Sequence, residues 1–143
     1  FEEMKFASLL AKLRKMDAAA WPTWDVLRAA TIEGARALGM DSQIGSLEPG
    51  KQADVIAVRA DTARMTPFIA SGPLQNLHYN LVHSVLGGDV QMTMVAGKVV
   101  AEKQMLLSGD MEEYIDRANM AAGRLLSRRD EWFRQNSQAT VSV

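Results

Sequence analysis

Cysteine is absent from the 143 residues, which excludes a disulfide frame, a thiolate metal site and a cysteine nucleophile. A reducing compartment is compatible with that absence, and a cytoplasmic protein is the expectation. Histidine is nearly absent too, with two copies, so a histidine-rich metal cluster cannot be assembled from these residues alone. No apolar run approaches the roughly 20 residues a membrane span requires, and no basic-then-apolar leader opens the chain. No membrane partner is expected. Charge of one sign is not in excess. The net charge of -1 and pI near 6.1 offer no general attraction to nucleic acid, and no nucleic-acid partner is expected. What remains is ordinary for a folded domain, with 48% hydrophobic and 23% charged residues.

Helical spacing dominates the first 40 residues. Phe6, Leu9, Leu10, Leu13 and Met16 recur at three- and four-residue intervals, and Trp21-Pro22-Thr23 breaks the pattern. Thr23 is predicted to cap a second helix, with Asp25 in its first turn. Val26, Leu27, Ala30, Ile32, Ala35 and Leu38 supply its apolar side, and Gly39 is expected to terminate it. Ala29, Ala30, Gly34, Ala35 and Ala37 predict close approach of a neighbour. Phe1 to Phe6 already reads as helix interior, with no capping residue ahead of it, so the chain is expected to be part of a longer protein.

The texture then changes. Pro49-Gly50 predicts a type II turn, and Ala53–Val58 a strand buried on at least one face. Residues 61–73 read as a connection, and Leu74–Leu86 fits helix or strand. Val90–Val95 and Lys98–Ala101 flank Ala96-Gly97 as a hairpin. Asp110 opens a last helix with Glu113 three residues on, a capping-box pattern. Tyr114, Ile115, Ala118, Ala122, Leu125 and Phe133 are its expected buried face, with Arg117, Arg124, Arg128 and Arg129 opposite. Residues 136–143 are expected to fray. The order is α+β, and the chain is too short for a complete parallel barrel of about 250 residues.

Few residues offer chemistry. His78 and His83 are five apart, which shares neither a helix face nor a strand face, and Asp89 is too remote to complete a set. They are expected as surface or interface histidines satisfied by hydrogen bonds. His83-Ser84 fails as a base and nucleophile because adjacent side chains diverge. Gly50-Lys51 lacks the spaced glycines and following hydroxyl of a phosphate loop. Interleaved Glu112, Glu113, Asp116, Asp130 and Glu131 turn the late arginines into a solvated, ion-paired face. Met92 and Met94 share a strand face and are expected to pack, as are Trp21 and Trp24. No position is assigned as a catalytic residue or metal ligand.

Two blocks carry a resemblance. Ala30-Thr31-Ile32-Glu33-Gly34-Ala35-Arg36-Ala37-Leu38-Gly39, then Ile44-Gly45-Ser46-Leu47-Glu48-Pro49-Gly50-Lys51-Gln52-Ala53-Asp54, resembles the C-terminal signature of the amidohydrolase superfamily. Val95-Ala96-Gly97-Lys98-Val99-Val100 is similar to its closing hairpin, and Phe1-Glu2-Glu3-Met4-Lys5 looks like the helix after the last barrel strand in adenosine-type deaminases. The resemblance is nearest to the branch holding methylthioadenosine/S-adenosylhomocysteine deaminases and triazine hydrolases. It implies that Asp54, on the strand after the Pro-Gly turn and remote from the family's metal, hydrogen-bonds backbone.

It implies that residues 1–40 are the last helices of a (β/α)8 barrel, 41–107 the C-terminal strands of a composite β-sandwich, and 108–143 a final helix and tail. It also implies hydrolytic deamination of a heterocycle, most closely an adenosine derivative. A divalent metal, zinc by expectation, would be held by the upstream barrel and lower the pKa of a bound water. The implied partners are the remainder of the barrel, a small heterocyclic substrate and further copies of the chain in a homo-oligomer. A triazine, guanine or cyclic-amide hydrolase is the alternative within the superfamily; a non-catalytic β-rich interaction module is the alternative outside it.

Overall fold

The computed structural model describes residues 1–136, and the expected fraying of the tail lies, beyond Asn136, outside them. The described chain forms two compact units, the first Phe1–Leu107 and the second from Ser108 onward. The first unit holds four helices, α1 (Glu2–Lys15), α2 (Thr23–Ala29), α3 (Ile32–Ala37) and α4 (Leu77–His83), and one sheet of β1 (Val55–Val58), β2 (Val90–Val95), β3 (Lys98–Glu102) and β4 (Met105–Leu106). The second holds α5 (Met111–Asn136). The sheet is an antiparallel meander in the order β1-β2-β3-β4.

The opening helix turns its small side chains inward. Residues turned toward the rest of the unit are Met4, Ala7, Ser8 and Ala11, whereas Phe6 is 62% exposed, Leu13 67% and Met16 86%. Small side chains on the inner face let α1 lie close to α4 and α2. The bulky stripe faces outward. The helix ends before Trp21, at Met16, which adopts the left-handed conformation (φ 49°, ψ 37°) while Asp17 N–H reaches back to Lys12 O.

One predicted helix is two. Thr31 takes φ -127° and ψ -104°, and its hydroxyl donates to Leu27 O at 2.7 Å, drawing the backbone out of helical register between α2 and α3. Gly34 makes the break possible: a Cβ there would lie 2.8 Å from Ala29 O. Thr23 is not the cap expected of it. Pro22 holds the cap position, and Thr23 is buried inside the first turn. Gly39, by contrast, ends α3 as predicted, at φ +68° in a Schellman arrangement of Gly39 N–H to Arg36 O and Met40 N–H to Ala35 O.

The Pro49-Gly50 turn forms, with Gly50 at φ +92° and Lys51 N–H donating to Glu48 O. Ala96-Gly97 forms the β2–β3 turn with both φ values positive, the type I′ pattern. Lys103-Gln104 repeats that geometry without glycine or asparagine, so β4 had no turn signal in the sequence. The ambiguous stretch 74–86 resolves as the helix α4. No residue of any strand is buried, so the predicted one-sided burial of 53–58 is absent and Ile56 stays half exposed. The core sits among the helices instead, at Ala20, Val26, Ala35, Met65, Val82 and Val85.

In the second unit, Asp110 caps α5 by accepting from Glu112 N–H at 2.9 Å, while Glu113 pairs with Arg117 rather than closing the box. The expected buried face is not buried: Ile115 is 53% exposed and Leu125 64%, and no residue of α5 is buried.

Candidate functional site

The histidines end up in different surroundings. Both lie on α4, one near each end, as the five-residue offset requires. His78 contradicts the expected surface position, being 7% exposed and stacked on Trp24 with ring centroids 4.8 Å apart. Tyr79 lies against its other environment at 4.2 Å, tilted by 40°. The expected hydrogen bonding is absent at Nδ1, which is buried without a protein partner. The stack accounts for its burial: imidazole and indole remove apolar surface from water together. Trp24 thus packs through one face and is exposed elsewhere. His83 is partly buried, and its imidazole is held below its ordinary range by burial first, then by repulsion from Lys12 and Lys5 of α1.

Asp89 is spoken for. Its carboxylate accepts from Leu86 N–H at 2.9 Å and lies 3.4 Å from the Arg64 guanidinium, tying the turn before β2 to the 61–73 connection. Asp54 accepts from Ala96 N–H at 2.7 Å, bonding backbone as expected and tethering the start of β1 to the β2–β3 turn. Neighbouring Ala53 O takes the Gly97 N–H of the same turn. Lys51 donates to Ser46 Oγ at 2.6 Å within its own turn. Met92 and Met94 are partly buried in β2. On α5, Arg117 pairs with Glu113 and Arg129 with Asp130, so local ion pairs do form there.

Two asparagines passed over in the sequence prove important to the connection. Asn76 accepts from Ile69 N–H and donates to Pro67 O, and Asn80 donates to Met65 O and Pro67 O. They replace the backbone ladder that an irregular segment cannot make for itself. Asparagine spaced i, i+4 next to a Pro-rich loop was the available signal.

Two apolar clefts flank the α2–α3 break. One, of about 520 Å³, lies between α3, the 44–47 turn and β1; the other, of about 410 Å³, runs between α1, α2 and β1. Both are lined by Ala30, Thr31 and Ile56. Their walls hold no histidine, and Asp54, in the first, is already bonded. No group of three or more His, Asp or Glu side chains that could hold a metal ion exists among the described residues. The clefts supply apolar surface bounded by hydrogen-bonded turns.

Residues 1–100 match the amidohydrolase family. The chain belongs to that family. It is 40% identical, over 87% of its length, to the 5-methylthioadenosine/S-adenosylhomocysteine deaminase of Symbiobacterium thermophilum, and covers 27% of that protein. It is 38% identical, over 90% of its length, to the 5′-deoxyadenosine deaminase of Methanosarcina acetivorans, covering 28% of it. Among solved structures it superposes on an adenosine deaminase from Xanthomonas campestris with bound zinc, at a TM-score of 0.76 and 32% identity, over 88% of this chain and 27% of that one. The amidohydrolase chain described here therefore spans about a quarter of the relatives it matches. The described residues do not fit a zinc ion: His78 is held in an aromatic stack, His83 stands at the other end of the helix, and Asp54 and Asp89 have structural partners.

Proposed function

We propose that these residues are the closing segment of an amidohydrolase that hydrolytically deaminates a heterocycle, the substrate being an adenosine derivative such as methylthioadenosine or S-adenosylhomocysteine. The observation that carries this is the likeness to two adenosine-derivative deaminases, at 40% and 38% identity across nearly the whole chain. In such a reaction water replaces the exocyclic amino group on the ring carbon and ammonia departs. Residues 1–40 serve as the last barrel helices, 41–107 as part of a composite β-sandwich, and 108–143 as a terminal helix and tail. A divalent metal, zinc in this reading, is held by the remainder of the barrel. The assembled protein is cytoplasmic and homo-oligomeric.

The physical support is uncovered apolar surface in the right places. The outer stripe of α1 is Phe6, Leu9, Leu10 and Leu13, all exposed, and helices in a (β/α)8 barrel turn such stripes onto strands. No residue of the sheet is fully buried, and Ile56 and Val95 are about half exposed, as apolar positions awaiting a facing sheet would be. A β-rich interaction module would bury its own sheet.

The test compares the isolated chain with the chain joined to the barrel segment of the Symbiobacterium relative. Ammonia release from methylthioadenosine, S-adenosylhomocysteine and 5′-deoxyadenosine is measured with zinc supplied. The joined protein is expected to turn over at least one of them, and the isolated chain none, with no stoichiometric zinc retained after dialysis. Turnover or stoichiometric zinc in the isolated chain would overturn the assignment of chemistry to the barrel. A folded, zinc-loaded joined protein that is inert toward all three would overturn the substrate.

A further inference from the structure

We draw no further inference here: the strongest candidate, the exposed apolar stripe of α5 from Met111 through Ile115 and Ala122 to Leu125, is a helix face for which nothing in the structure shows what covers it.

Discussion

At Gly34 a single hydrogen atom in place of a methyl group lets α2 and α3 meet at an angle. Gly34→Ala would place Cβ 2.8 Å from Ala29 O, backbone against backbone, where neither side can yield cheaply. The expected cost is about 1–3 kcal/mol, read by urea denaturation of the chain; an unchanged midpoint would show that the break is not enforced there. Asp54 poses a milder case. Its bond to Ala96 N–H is solvent-exposed, so Asp54→Ala should cost about 0.5–1.5 kcal/mol, with Asp54→Asn recovering part of it. His83 adds a pH dependence whose sign follows from its lowered pKa. The unfolded chain takes up the proton more readily than the folded one, so the neutral imidazole's contribution is complete above about pH 6.5. It is lost as pH falls through the folded-state value. The stability gap between the wild type and His83→Gln should shift against the wild type on acidification, and a gap constant from pH 8 to 5 would refute the assignment. Of these residues, Asp54 was legible through its place in the family motif, on the strand after the Pro-Gly turn. The burial of His78 could not, because the partner indole lies 54 positions away and meets it only through the packing of α2 on α4.

Among the elements, α1 shows how periodicity can reveal a helix and conceal its inner side. Both the Leu-rich stripe and the Met4, Ala7, Ser8, Ala11 face repeat with helical spacing, so spacing alone does not say which of them packs within this chain. The structure turns the small face inward. Replacing Leu9 with Glu and Leu13 with Lys creates an i, i+4 pair of favourable order and should alter the stability of the isolated chain by less than about 1 kcal/mol. Loss of the helical circular dichroism signal would mean the stripe is core after all. In the joined enzyme the same double variant is expected to abolish assembly with the barrel. The end of α1 offers a gain: Met16→Gly relieves a left-handed residue and should stabilise the chain by up to about 1 kcal/mol, as judged by thermal unfolding. The hairpin and the Pro-Gly turn were legible because their glycines announce positive φ. The second hairpin turn, Lys103-Gln104, was not, since neither side chain advertises the conformation it adopts.

For the whole molecule, exposed apolar surface is the governing fact. Phe6, Leu9, Leu10 and Leu13 are all exposed along one helix face, an apolar stripe of the kind that marks an interaction surface. The isolated chain should bind a hydrophobic dye such as ANS strongly, and joining it to the barrel segment should suppress that signal severalfold. Equal dye binding by both proteins would show that the barrel segment leaves the exposed stripe bare. No helix of the described residues is long and apolar enough to cross a membrane.

Local chemistry was settled by the sequence itself: where glycine supplies positive φ, that the Pro49-Gly50 and Ala96-Gly97 turns close, and that two histidines five apart share no face. These depend on sterics within a few residues and need no knowledge of distant neighbours. Tertiary structure decided which side of α1 points inward and that His78 is buried against Trp24. Those outcomes depend on which surfaces find partners, and burial is a property of pairs of segments that no single stretch of chain encodes.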